Sequence, residues 1–238
     1  MSKIKNLKIK IFADGAGIKD MFLLNKKNYI SGFTTNPSLM KQASITDYKT
    51  FAIQILKKIK SKSVSFEVTS DSFNEMESQA LEIKKWSKNI FIKIPFTNSK
   101  GKKTIDLIKR LSNRGLKLNI TSVFTYEQAK EVLNVLNKNS EAYISIFAGR
   151  IADTGRDPVK IIKKSVIACK KFKKVSILWA SCREIYNIFE ADKAGCHIIT
   201  VPHSILKKFS LIGKNLERYS VETAKDFYLD SKDIIFKF

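Results

Sequence analysis

Short apolar runs rich in Ile, Val and Phe recur along the chain, separated by segments long enough to hold a crossover helix. They lie at Ile9–Ala13, Ile30–Thr34, Val64–Val68, Ile90–Ile94, Leu116–Ile120, Tyr143–Phe147, Val175–Leu178 and His197–Val201. Runs of this length, flanked by polar and turn-forming residues, read as buried strands. Helix signals fall between them. Ser44-Ile-Thr-Asp47 predicts a capping box that opens a helix over Tyr48–Lys60, and Thr125-Tyr-Glu-Gln128 predicts another before Ala129–Leu136. Asp157 and Pro158 supply an N-cap and a first-turn proline for a helix running to Phe172, and Gly195 closes a helix over Arg183–Ala194. Such strand–helix units without a Pro/Gly/Ser-rich linker predict an α/β chain folded as a single (β/α)8 TIM barrel. Residues 1–238 then form one catalytic domain, with a C-terminal helix around Val221–Tyr228 and a tail beginning near Leu206.

Composition narrows the class. A chain of 238 residues with 44% hydrophobic and 28% charged residues has the balance of a soluble globular protein. No apolar run reaches the length of a membrane span, and Met1-Ser-Lys-Ile-Lys5 lacks the apolar core of a signal peptide. Cys169, Cys182 and Cys196 are odd in number and form no CxxC pair, a pattern expected of reduced thiols in the cytoplasm. The net charge of +22 invites a nucleic-acid partner. However, the lysines come as pairs such as Lys57-Lys58, Lys84-Lys85 and Lys163-Lys164 on the polar sides of successive helices, not as one dense stripe. No nucleic-acid-binding signature accompanies them. Neither nucleic acid nor membrane is therefore expected as a partner, although the charge can concentrate small anions near the surface.

Chemistry collects where the strands end. Polar residues stand at or just beyond the C-terminal end of nearly every run: Asp14, then Thr34, Thr35 and Asn36, then Glu67, Lys93, Asn119 with Thr121, Ser145 with Arg150, and Ser181 with Arg183. In a barrel these ends converge on one face, where sites are built. Alternation places Asn119 with Thr121, and Ser145 with Phe147, on common sides of their strands. Lys93 is the most telling, a positive charge inside the apolar run Asn89-Ile-Phe-Ile-Lys93-Ile-Pro95. A strand-end lysine can snorkel to solvent. It can also become a nucleophile, since apolar surroundings and nearby cations favour the free amine that attacks a carbonyl to form a Schiff base. An iminium withdraws electrons and allows an adjacent carbon–carbon bond to break. Glu67 and Asp14 are candidate proton-transfer groups, and Thr121 could hold a water between them. Asn36 and Asn119 suit the hydroxyls of a polyol, and the planar forks of Arg150 and Arg183 suit a phosphate.

The motifs Phe12-Ala-Asp14, Gly32-Phe-Thr-Thr-Asn-Pro-Ser38, Phe66-Glu67-Val68, Ile92-Lys93-Ile94, Leu118-Asn-Ile-Thr121, Ser145-Ile-Phe-Ala-Gly-Arg150 and Ala180-Ser-Cys-Arg183 follow in order. With these pieces the chain resembles the transaldolases from about Ile9 to Val201. The resemblance implies that Lys93 is the Schiff-base lysine, with Asp14, Glu67 and Thr121 in proton transfer. It also implies that Thr34, Asn36, Asn119, Ser145 and Ser181 line the sugar site beside Phe147, with Arg150 and Arg183 on the phosphate. The implied activity moves a dihydroxyacetone unit between sugar phosphates of the pentose phosphate pathway, in the cytoplasm, without metal or organic cofactor. Sugar phosphates and further copies of the chain are the expected partners.

Two departures qualify the resemblance. The chain is shorter than the longer family members, and Gly149-Arg-Ile-Ala-Asp-Thr-Gly-Arg156 offers Arg156 as an additional or alternative phosphate contact. The similar fructose 6-phosphate aldolases share the lysine but have Gln where Glu67 stands and Tyr where Phe147 stands, so these two residues favour transfer. An aldolase using free dihydroxyacetone, or a relative serving a specialised sugar pathway, is the alternative. Elsewhere, Asp14-Gly-Ala-Gly17 reads as a tight turn and not a phosphate loop. His197 reads as a buried strand residue, His203 as a residue near the barrel mouth, and Cys182 as either a packed or an oxidation-sensitive thiol.

Overall fold

A computed structural model of the chain describes residues 6–235; Met1–Lys5, read above for targeting, lies outside the described residues. Eight parallel strands close into a barrel in sequence order: β1 (Lys10–Asp14), β2 (Ile30–Thr34), β3 (Ser63–Glu67), β4 (Ile90–Pro95), β5 (Leu118–Val123), β6 (Ala142–Ile146), β7 (Val175–Trp179) and β8 (Ile198–Pro202). The expected strands are all present, with ends displaced by three residues or fewer. Between them run α1 (Ile18–Asn25), α2 (Pro37–Gln42), α3 (Tyr48–Lys58), α4 (Phe73–Lys84), α5 (Ile105–Asn113), α6 (Tyr126–Val135), α7 (Ala148–Ala152), α8 (Pro158–Cys169) and α9 (Tyr186–Lys193). After β8 come α10 (His203–Leu206) and α11 (Leu216–Asp230). This is a single (β/α)8 barrel.

Two apolar layers hold it. Outward-facing strand residues such as Ile92, Ile120 and Ile144 pack under the helices with Ile55, Met76, Leu111 and Val132. The second layer fills the barrel itself, where Phe12, Leu178, Ala180 and Ile198 pack with Tyr143 and Phe147. Low in the barrel, Phe91 stacks on Tyr143 at 3.9 Å between ring centroids, and Phe12 meets Tyr143 edge-on at 5.7 Å. Gly32 is dictated by that filling, because a Cβ there would lie 2.6 Å from the Phe12 ring. The aromatic floor separates the strand-end residues from the N-terminal end of the barrel.

Local signals hold with corrections. Thr125 and Gln128 form the reciprocal capping box, and the helix begins at Tyr126. The Asp157 carboxylate accepts from the Val159 amide as expected, but the helix ends at Cys169, short of Phe172. Ser44 does not cap α3. It sits at φ 55° in the turn after α2, and Asp47 takes the role by accepting from the Thr50 amide at 3.0 Å. Helix α9 starts at Tyr186 and not Arg183, because Asn187 Oδ1 accepts from the Arg183 and Glu184 amides and holds that stretch as a loop. His197 lies just before β8 and is half-buried, with Nδ1 accepting from the Ile177 amide. The terminal helix is longer than expected and buries none of its residues, leaving Leu216, Val221, Phe227 and Tyr228 exposed.

Candidate active site

The register of the barrel sets the site. Glu67 pairs with Lys93 across β3 and β4, Lys93 with Asn119 across β4 and β5, and Asp14 with Thr34 across β1 and β2. Strand pleat turns these side chains inward at similar heights. They line a cavity of about 490 Å³ at the C-terminal ends of the strands. Every strand-end residue singled out above lines it except two: Thr35, which contributes its carbonyl, and Arg156. Arg156 is exposed beyond α7, where Nη1 donates to Thr154 Oγ1 at 3.0 Å. The Thr154–Gly155 turn carries it away from the mouth.

Lys93 is 7% exposed. Its Nζ donates to the Thr35 carbonyl at 2.7 Å and to Glu67 Oε2 at 3.0 Å. The other Glu67 oxygen accepts from Thr121 Oγ1 at 2.7 Å. A buried ammonium is tolerated because both a carboxylate and a carbonyl face it. Asp14 stands nearby, its Oδ1 accepting from Thr34 Oγ1 at 2.7 Å. Burial pushes the Asp14 carboxyl above the ordinary range. The Lys93 charge and the Thr34 hydrogen bond oppose that shift, and Glu67 adds to it. One carboxylate is therefore tied to the amine, and the other is poised to hold a proton.

Polar amides and hydroxyls line the next wall. Ser145 Oγ donates to Asn119 Oδ1 at 2.6 Å, and Asn119 Nδ2 donates to Ser65 Oγ at 3.2 Å. Asn36 has a structural duty as well, since its Oδ1 caps α2 by accepting from the Leu39 amide at 3.0 Å. That leaves its amide nitrogen for the cavity it lines. At the rim, the Arg150 guanidinium lies 5.8 Å from the centre of the Phe147 ring, and Arg183 is paired with Asp153. Helix α7, which carries Arg150, touches the turn that carries Arg183 at backbone level, with the Gly149 amide donating to the Ala180 carbonyl at 3.4 Å.

Irregular backbone aims several of these groups. The β5–β6 register shifts between Ile120 and Val123, and Ser122 within that interval sits at φ 56°. Ser181 is left-handed as well, at φ 63°. Non-glycine residues in this region cost roughly 1–2 kcal/mol, and both stand on the cavity wall. Cys182 also lines it, but burial pushes the thiol up to about 12, which favours the packed alternative. Among the described residues no three His, Cys, Asp or Glu side chains cluster as a metal site requires.

Sequence reasoning missed Thr200, Ser122 and Pro202 on the wall. The signal for Thr200 was there, a lone hydroxyl inside Ile198-Ile-Thr-Val-Pro202, whose inward register follows from alternation with Ile198.

The barrel, with its polar mouth and one buried lysine held by a carboxylate, belongs to the class of α/β-barrel enzyme sites built on strand ends. A probable transaldolase of Dehalococcoides mccartyi is 35% identical over 199 residues, covering 83% of this chain and 88% of that protein. One from Thermoanaerobacter sp. is 34% identical over 224 residues, covering 91% and 98%. The dihydrodipicolinate synthase crystal structure from Rhodopseudomonas palustris is similar in fold alone, with a TM-score of 0.54 at 13% identity over 81% of this chain and 69% of that one. The family model for transaldolase/fructose-6-phosphate aldolase matches residues 11–236, and the chain belongs to that family.

Proposed function

We propose that the protein is a transaldolase that moves a dihydroxyacetone unit from a ketose phosphate to an aldose phosphate through a Schiff base on Lys93. The observation that carries this reading is the buried Lys93 amine held 3.0 Å from Glu67 inside a cavity rimmed by two arginines. Glu67 accepts the ammonium proton, and the amine adds to the ketone carbon. Proton transfers through Glu67, with a water held at Thr121, remove the carbonyl oxygen as water and leave an iminium. Asp14, with its raised affinity for a proton, takes the proton of the sugar hydroxyl as the carbon–carbon bond breaks. The three-carbon enamine stays on Lys93 until a second aldose accepts it. Asn36, Asn119, Ser145 and Ser181 suit the hydroxyls, and Arg150 and Arg183 suit the phosphate, which competes with Asp153 for Arg183.

The proposed physiological reaction converts sedoheptulose 7-phosphate and glyceraldehyde 3-phosphate into erythrose 4-phosphate and fructose 6-phosphate. An aldolase releasing free dihydroxyacetone would use the same lysine. Glu67 and Phe147 favour transfer, because the family's aldolases have Gln and Tyr at those places. Incubation with fructose 6-phosphate followed by borohydride should leave a three-carbon adduct on Lys93, mapped by peptide mass spectrometry and absent in Lys93→Ala. No adduct from this donor or from dihydroxyacetone would overturn the mechanism. Adding an aldose phosphate acceptor before reduction should discharge the adduct into a new ketose phosphate, whereas discharge by water alone would favour the aldolase.

A further inference from the structure

Thr200 lies on β8, across the barrel interior from the Lys93–Glu67 pair, and is 4% exposed. It pairs with Phe12, one inward position below Asp14, so its side chain comes up beneath the Asp14 carboxylate. The Thr200 and Thr34 hydroxyl oxygens are 2.5 Å apart, and Thr34 Oγ1 is 2.7 Å from Asp14 Oδ1. A hydroxyl has a single proton, and an ionised carboxylate only accepts. With Asp14 ionised, Thr34 spends its proton on Asp14, and the proton between the two threonines must come from Thr200. The hydrogen bonds therefore run one way, from Thr200 to Thr34 to Asp14.

We propose that Thr200 is a positioning residue for proton transfer, its hydroxyl polarising and orienting Thr34 so that the two together hold Asp14 as a correctly aimed carboxylate. Chains of hydrogen bonds strengthen one another when they end on a charge in a buried site. Among the described residues, Thr34 makes the only side-chain hydrogen bond to Asp14, so the aim of the carboxylate depends on the rotamer that Thr200 fixes. The ionisable groups facing Asp14 come from three other strands or their ends: Lys93 from β4, Glu67 from β3 and Cys182 after β7. None of them hydrogen-bonds Thr34. Removing the Thr200 hydroxyl leaves all three groups in place and withdraws only the donor.

The inference rests on the proton-transfer role proposed for Asp14, and its test does not need turnover. Carbonyl-13C aspartate NMR would follow the Asp14 carboxyl through a pH titration, with the signal assigned by its loss in Asp14→Asn. Thr200→Val keeps the shape without the hydroxyl, and Thr200→Ala serves should the valine variant fail to fold. Either variant should raise the Asp14 midpoint by about half to one pH unit, the size of one lost buried hydrogen bond. Thr200→Ser should keep the wild-type midpoint. An unchanged or lowered midpoint in the folded variant, or an equal shift in Thr200→Ser, overturns the proposal. Borohydride trapping of dihydroxyacetone on wild-type Lys93 is scored separately. If no adduct forms, the Schiff-base reading fails, while the titration still decides the role of Thr200.

Discussion

Gly149→Ala tests how the two rim arginines are held together. A Cβ on Gly149 would sit 1.6 Å from the Ser181 carbonyl oxygen and 2.8 Å from its carbon, with Arg183 Cγ at 3.1 Å. The oxygen is thus about 1.8 Å short of the 3.4 Å at which ordinary contact begins. It belongs to backbone, so no rotamer change relieves the overlap; the start of α7 must separate from the turn after β7. Overpacking typically costs about 1–3 kcal/mol, and a rigid backbone neighbour puts this site at about 3 kcal/mol. For a chain of this size that is a fall in melting temperature of roughly 6–12 °C. Arg150 follows Gly149 directly and Arg183 lies two residues beyond Ser181, so the same separation pulls the two guanidinium groups apart. Losing one charge-assisted contact to phosphate, about 1.5–3 kcal/mol, should raise KM for sugar phosphates roughly ten- to a hundred-fold. Trapping of unphosphorylated dihydroxyacetone on Lys93 should persist, since the barrel interior is untouched. Thermal denaturation and steady-state kinetics on the purified variant provide the assay. A variant within 0.5 °C of wild type and with an unchanged KM would refute the claim that this contact sets the spacing of the arginines.

Three further outcomes are expected. Asp14→Asn should cut turnover by about 10²–10⁴-fold, the usual worth of a general acid–base group, yet be more heat-stable than wild type at pH 7. Burial raises the Asp14 carboxyl, so the folded state pays for a desolvated charge above its folded midpoint. That penalty fades as pH falls through this midpoint and is gone below the ordinary value of 3.8, so the melting-temperature gap should close towards pH 4; a gap that widens on acidification would refute it. Burial pushes the thiols of Cys182 and Cys196 to about 12 and that of Cys169 to about 11. Iodoacetamide at pH 8 should therefore leave the native protein unlabelled and active and modify all three cysteines in denaturant, whereas rapid native labelling at Cys182 would contradict its packed state. Double-reciprocal plots for donor and acceptor should be parallel, and intersecting lines would rule out a covalently held three-carbon unit.

The strands and most of the candidate site were legible because short apolar runs and polar strand ends are written in consecutive residues. Lys93 announced itself as a charge in an apolar run, and register then carried Glu67, Asn119 and Asp14 beside it. What stayed hidden depends on three-dimensional closure. Thr200 acts only because β8 closes on β1 and brings it to Thr34. Ser122 gains its place from a register slip that no local propensity announces. Arg156 lies outside the cavity lining for the converse reason: being close to Arg150 in sequence says nothing about direction once a glycine turn intervenes. The Ser44-Ile-Thr-Asp47 pattern predicts Ser44 as the cap with Asp47 as its capping-box partner, and the backbone of the preceding turn gives the capping role to Asp47 instead.

Among the described residues, the aromatic floor makes the barrel a vessel with its doorway at the strand ends. Phe12, Phe91 and Tyr143 occupy the space through which a second route would run, so arrivals, departures and solvent all share the mouth between Arg150 and Arg183. In the proposed reaction, traffic through that doorway would be sequential: a departing aldose would have to clear the arginines before another phosphate could dock there. Under such a constraint, the three-carbon unit proposed to sit on Lys93 would be kept by the crowding of the doorway as well as by its bond.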